Sequence, residues 1–95
     1  MFLGIYRFKG DAGELLSAYE KLLQMMPPEN MHLQVCVSDG TGISIYDACP
    51  TREIFEAFSS SPDMQAALQG AGLPKPEVSQ LGDVHAAFVA GERAI

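Results

Sequence analysis

Apolar positions along the chain alternate between two spacings, one that suits a strand and one that suits a helix. From Phe2 to Phe8 they alternate, with Leu3 and Ile5 on one face and Phe2, Tyr6 and Phe8 on the other, which predicts a first strand apolar on both faces. Asp11 then offers a capping carboxylate with Glu14 three residues on. Leu15, Leu16, Tyr19, Leu22, Leu23 and Met26 follow at spacings of three and four, one side of a helix. Pro27-Pro28 stops that helix, because proline donates no amide and disfavours helical geometry in the residue before it. Two further alternating runs, His32 to Ser38 and Ile43 to Cys49, flank Asp39-Gly40-Thr41-Gly42 and read as a hairpin.

The hairpin register follows from the apolar positions if both strands turn their apolar side the same way. Leu33, Val35 and Val37 then share a face with Ile43 and Ile45, so that Val37 opposes Ile43 across a three-residue loop of Asp39, Gly40 and Thr41. Cys36 falls opposite Ser44, Gln34 opposite Tyr46 and His32 opposite Ala48. Cys36 and Cys49 point to opposite faces, and two reduced, unbridged thiols are expected.

Pro50 and Thr51 open a second helical region carrying Ile54, Phe55 and Phe58. It is interrupted at Ser59-Ser60-Ser61 and restarts at Ser61-Pro62, a capping hydroxyl before a first-turn proline. Met64, Ala67, Leu68 and Ala71 continue the apolar stripe to Gly70 or Gly72. Pro74-Lys75-Pro76 is a stiff connector, and Val78 to Val89 supplies the last strand. Residues 1–90 therefore read as one domain and 91–95 as a loose C-terminal tail. The order is βαββαβ, an α+β class with a four-stranded antiparallel sheet and two helical segments on one face. Helices on one face leave the other uncovered, and its apolar content calls for a partner.

Size and charge narrow the picture. A chain of 95 residues buries only about 60 to 65% of the surface its unfolded form exposes, so a dimer would enlarge a thin core. Six basic residues against 12 acidic ones give a net charge of −6, with the cations scattered, which argues against a nucleic-acid partner. No run approaches the ~20 apolar residues of a membrane span, and Met1-Phe2-Leu3 lacks a basic signal start, so a cytoplasmic protein is expected.

The stretch Asp47-Ala48-Cys49-Pro50-Thr51-Arg52-Glu53-Ile54-Phe55, then Phe58, Ser61 and Pro62, and the connector Gly72-Leu73-Pro74-Lys75-Pro76 leading to Val84-His85, resemble the dimeric α/β-barrel superfamily. That group includes antibiotic-biosynthesis monooxygenase-like proteins and many small bacterial proteins. The resemblance covers nearly the whole chain and implies a ferredoxin-like fold that pairs into a dimeric α/β barrel. Cofactor-independent oxygenases of the group commonly use Trp, Asn or His beside an aromatic substrate; this chain has no Trp, and its one Asn, Asn30, precedes the second strand.

Candidate chemistry is sparse. His85 matches the relatives' Val-His pair and could handle a proton or orient a ligand, or else be a half-buried histidine satisfied by backbone. Asp47 falls on an apolar strand face, either at an open end of the sheet or in a polar pocket. Tyr46 and Gln34 are cavity-lining candidates. His32 reads as a solvated edge residue and Cys36 as structural. No metal-ligand spacing and no cofactor motif is present. The expected function is a homodimer holding a small apolar or aromatic molecule between sheet and helices, oriented by His85, Tyr46, Gln34 and Asp47. The alternatives are a cofactor-independent monooxygenase-like or isomerase-like enzyme, and a purely structural oligomer-forming protein.

Overall fold

The computed structural model describes residues 1–26 and 32–95. The proline stop at Pro27-Pro28, together with Asn30 and Met31, lies outside them. The elements are β1 (Phe2–Lys9), α1 (Ala12–Met25), β2 (Leu33–Asp39), β3 (Gly42–Cys49), α2 (Arg52–Ser59), α3 (Pro62–Ala71), β4 (Glu77–Asp83), β5 (Phe88–Val89) and β6 (Glu92–Arg93). The four long strands form one antiparallel sheet in the order β2-β3-β1-β4, compatible with a ferredoxin-like fold, and the sheet is open, not closed into a barrel.

The helix starts follow from the capping residues. The Asp11 carboxylate accepts the Glu14 amide at 2.9 Å, the Thr51 hydroxyl accepts that of Ile54 at 3.2 Å, and Ser61 accepts from Asp63 and Met64 ahead of Pro62. The second helical region is thus two helices, broken at the serines, and Gly72 ends the latter.

One face of the sheet carries the core. Phe2, Tyr6 and Phe8 of β1 and Ile43, Ile45 and Cys49 of β3 are buried there against Leu15, Ala18 and Leu22 of α1, Phe55 of α2, and Met64, Leu68 and Ala71 of α3. Phe55 is 0% exposed, with ring centroids 5.7 Å from Phe2 and 5.5 Å from Tyr6. Its ring lies directly over Gly4, where a Cβ would overlap it. Among the described residues no helix covers the other face, which presents Leu3 and Ile5, half-exposed Val35 and Val37, and Tyr46.

The hairpin register differs from the expected one by a single residue. Asp39 opposes Gly42, leaving a two-residue loop of Gly40 and Thr41, and Val37 opposes Ser44, Val35 opposes Tyr46, Cys36 opposes Ile45 and Gln34 opposes Asp47. The slip turns every β2 side chain over. Its valines face the uncovered side, while Gln34 and Cys36 face the helices. The local cause is in the turn. Asp39 Oδ1 accepts the Thr41 amide at 2.7 Å, and Arg7 from β1 pairs with Asp39 at 3.1 Å while reaching the Thr41 and Ser44 hydroxyls. Those bonds hold Asp39 in the ladder and draw its carboxyl down to about 2. Gly42, at φ +152°, follows in a conformation side chains rarely adopt, and a Cβ there would overlap the Phe8 carbonyl oxygen.

Cys36 and Cys49 consequently share the helix-facing side, contrary to the expected opposition. Both are free, because Cys36 lies four residues along β2 from the position opposite Cys49, roughly 13 Å at ~3.3 Å per residue, too far to bridge.

The last strand is shorter than expected. β4 ends at Asp83, after Leu81 is left as an extra residue between the Gly4–Gln80 and Leu3–Gly82 pairs, so His85 follows the strand instead of lying within it. Beyond it, β5 and β6 form a small hairpin, closed by bonds between Ala87 and Ile95. No helix among the described residues is long and apolar enough to cross a membrane.

Candidate functional site

A cleft of about 420 Å3 opens where β2 begins and β3 ends. Met25 and Met26 at the end of α1 form one wall and Ile54 and Phe58 of α2 the other; His32, Gln34 and Asp47 to Pro50 complete it. The two walls arise from the same helical pattern that builds the core. On α2 the core takes only Phe55, and Ile54, 47% exposed, and Phe58, 36% exposed, are left to rim the opening.

Asp47 lies on the floor of this cleft. It is the one charged residue among the described residues that is buried, at 8% exposure. β3 places it there by strict alternation, on the same face as Ile45 and Cys49, opposite Gly4 on one side and Gln34 on the other. The Cys49 thiol donates to Asp47 Oδ2 at 3.6 Å. Burial pushes the Asp47 carboxyl above the ordinary carboxylate range; the Cys49 thiol, the Gln34 side chain and His32 pull in the opposite direction without offsetting it. Burial, then the Asp47 charge, pushes the Cys49 thiol up to about 11, so it is a weak nucleophile that serves as a donor.

Gln34 is held by a partner on α1. The Tyr19 hydroxyl donates to Gln34 Oε1 at 2.5 Å, which turns the amide NH2 away from Tyr19 and toward the Asp47 side. A separate interior cavity of about 20 Å3 adjoins the cleft, sharing Met26, Gln34, Asp47 and Phe58 with its lining and lined also by Tyr6 and Tyr19.

The structure thus brings Gln34 and Asp47 together and separates them from the other two candidates. Tyr46 is on the uncovered face between Ile5 and Val35. His85 is exposed, in a shallow open depression beside Leu3, Leu81 and Val84, and Arg93 donates to its carbonyl at 3.4 Å. His32, read from sequence as a surface residue, is exposed but stands at the mouth of the Asp47 cleft. Cys49 and Tyr6 were not candidates. The usable signal was the polar Asp47 on an apolar face together with the residues two positions away on that face. Among the described residues no group of three or more histidine, cysteine or acidic side chains could hold a metal ion.

The buried carboxyl has a measurable consequence. Because its folded pKa is raised, the stability tied to its protonated form is fully present below the unfolded aspartate value of about 3.9 and is lost as pH rises through the folded value. Asp47→Asn keeps an acceptor for Cys49 and removes the charge. In urea unfolding it should match the wild type near pH 4 and exceed it at pH 8 by on the order of 1 kcal/mol. Parallel stability profiles for the two proteins would contradict this placement of the carboxyl.

Comparison of the chain with protein-family models, with curated proteins and with solved structures finds no match in any of the three.

Proposed function

We propose that this chain is a homodimeric α/β-barrel protein that binds a small apolar or aromatic molecule in the cleft between sheet and helices, above Asp47. The observation that carries the reading is the cleft itself. Its volume, about 420 Å3, lies in the range of small-molecule sites, its walls are methionine, isoleucine and phenylalanine, and Gln34 and buried Asp47 meet at its floor while His32 stands at its mouth. Met25 and Met26 suit a wall that adapts to the shape of its occupant. The second copy is supported by the uncovered apolar face, on which Leu3, Ile5, Val35, Val37 and Tyr46 form a surface of the kind sheets bury against one another. Binding is favoured over covalent chemistry because the one thiol at the floor is held in its protonated form.

The neutral fluorophore N-phenyl-1-naphthylamine tests the binding. It should bind saturably with a rise in emission, and Phe58→Asp should weaken it about tenfold, equivalent to ~1.4 kcal/mol, near the low end of the range for burying an aromatic side chain. Equal affinity for both proteins would remove the cleft from the reading.

A further inference from the structure

We propose that the interior cavity adjoining the cleft at Asp47 and Gln34 is a head-group subsite in which the Tyr6 hydroxyl donates to the carbonyl oxygen of a neutral aromatic ketone or quinone. The inference rests on the binding function proposed above and adds the chemical class of the ligand.

Tyr6 Oη is the one buried side-chain polar atom among the described residues that has no hydrogen-bond partner. Tyr6 is only 3% exposed and lines the interior cavity, so its hydroxyl is turned to neither solvent nor a protein acceptor. Leaving such a donor unmet carries the full cost of its lost hydration, which a partner atom from a ligand would offset. The neighbouring groups are differently occupied. Gln34 Oε1 takes the Tyr19 hydroxyl, and Asp47 Oδ2 takes the Cys49 thiol. Among the described residues the fully buried polar atom left unmet is therefore the Tyr6 hydroxyl, a donor, and it selects an acceptor.

Size and charge specify that acceptor further. About 20 Å3 is room for a single oxygen-sized group, whereas the outer cleft is some twenty times larger and apolar enough for one or two fused rings. An anionic head would be desolvated in this cavity with no basic side chain among its lining residues to pair with, and burial above all raises the Tyr6 pKa and so keeps the phenol protonated as a donor. A cationic head would call for an ionised Asp47, which burial disfavours. A neutral carbonyl on a flat apolar body meets each condition.

The test uses four naphthalene probes of one shape: naphthalene, 2-acetylnaphthalene, 2-naphthoate and 2-naphthylmethylammonium, titrated into wild type and Tyr6→Phe. Removal of an unpaired buried hydroxyl should leave the melting temperature of Tyr6→Phe at or above that of the wild type, so the variant reports on binding alone. 2-Acetylnaphthalene should bind wild type at least tenfold more tightly than naphthalene and more tightly than either charged probe. In Tyr6→Phe that advantage should vanish while naphthalene affinity is unchanged. A charged probe binding best, no preference for the ketone, or a preference that survives in Tyr6→Phe would each overturn the subsite and leave the apolar cleft standing. No binding by any of the four probes or by N-phenyl-1-naphthylamine would overturn the cleft as well.

Discussion

Replacing Gly4 with alanine should destabilise the fold by about 3 kcal/mol, the upper part of the range for overpacking a filled core, and lower the melting temperature by on the order of 12 °C or more. The added methyl group would enter the space of the Phe55 ring. That ring cannot swing aside, since it is fully buried between Phe2 and Tyr6. Phe55 is also the one buried residue of α2, so displacing it loosens the helix that carries Ile54 and Phe58, the far wall of the cleft. Shortening the ring in the same molecule, as Gly4→Ala with Phe55→Leu, should recover part of the loss, and the two changes should be strongly non-additive. A melting temperature for Gly4→Ala within about 2 °C of wild type would show that α2 does not sit on β1 in this way.

The second large effect concerns assembly. Ile5 is central on the uncovered face, flanked by Tyr46 on β3 and Ser79 on β4. Placing arginine there should convert a dimer into a monomer, because a guanidinium without a partner between two apolar sheets bears a desolvation cost of several kcal/mol. Light scattering should show half the wild-type mass for Ile5→Arg, with far-ultraviolet circular dichroism retained. Arg7→Ala makes a useful contrast, since Arg7 lies toward the end of the strand in its own network with Asp39, Thr41 and Ser44, and its loss should leave the mass unchanged. A monomeric wild type at low micromolar concentration would rule out the sheet-to-sheet pairing.

The element order as far as β4 was legible because helical and strand spacings are unambiguous there, down to the serine break that divides the second helical region into α2 and α3, whereas the β5–β6 hairpin was not read. Both faces of β1 were read correctly as apolar. β2 was not, and the reason is physical. Alternation shows that two sets of side chains point opposite ways; it does not show which set meets the helices. On β2 the apolar set, Val35 and Val37, faces the uncovered side, and the polar set, Gln34 and Cys36, faces the core. Matching apolar faces across the hairpin therefore gave a register off by one. That error separated Gln34 from Asp47, which are cross-strand partners at the floor of the cleft. Asp47 itself could be read, as a charge on an apolar face. Tyr6 could not, because an aromatic residue in an apolar row gives no sign that its hydroxyl will lack a partner. Gly4 did carry a signal, since a glycine inside a strand pattern marks close approach by another group.

Chemical-shift mapping of the isotope-labelled protein with N-phenyl-1-naphthylamine tests the site most directly. The largest changes are expected at Met25, Met26, His32, Gln34, Asp47, Cys49, Ile54 and Phe58, the residues that wall the cleft. Val35, Val37 and Tyr46 on the uncovered face, and His85 beside Leu81, should move little. Changes centred on His85 or on the uncovered face, with the Asp47 cleft unperturbed, would contradict a binding site between sheet and helices.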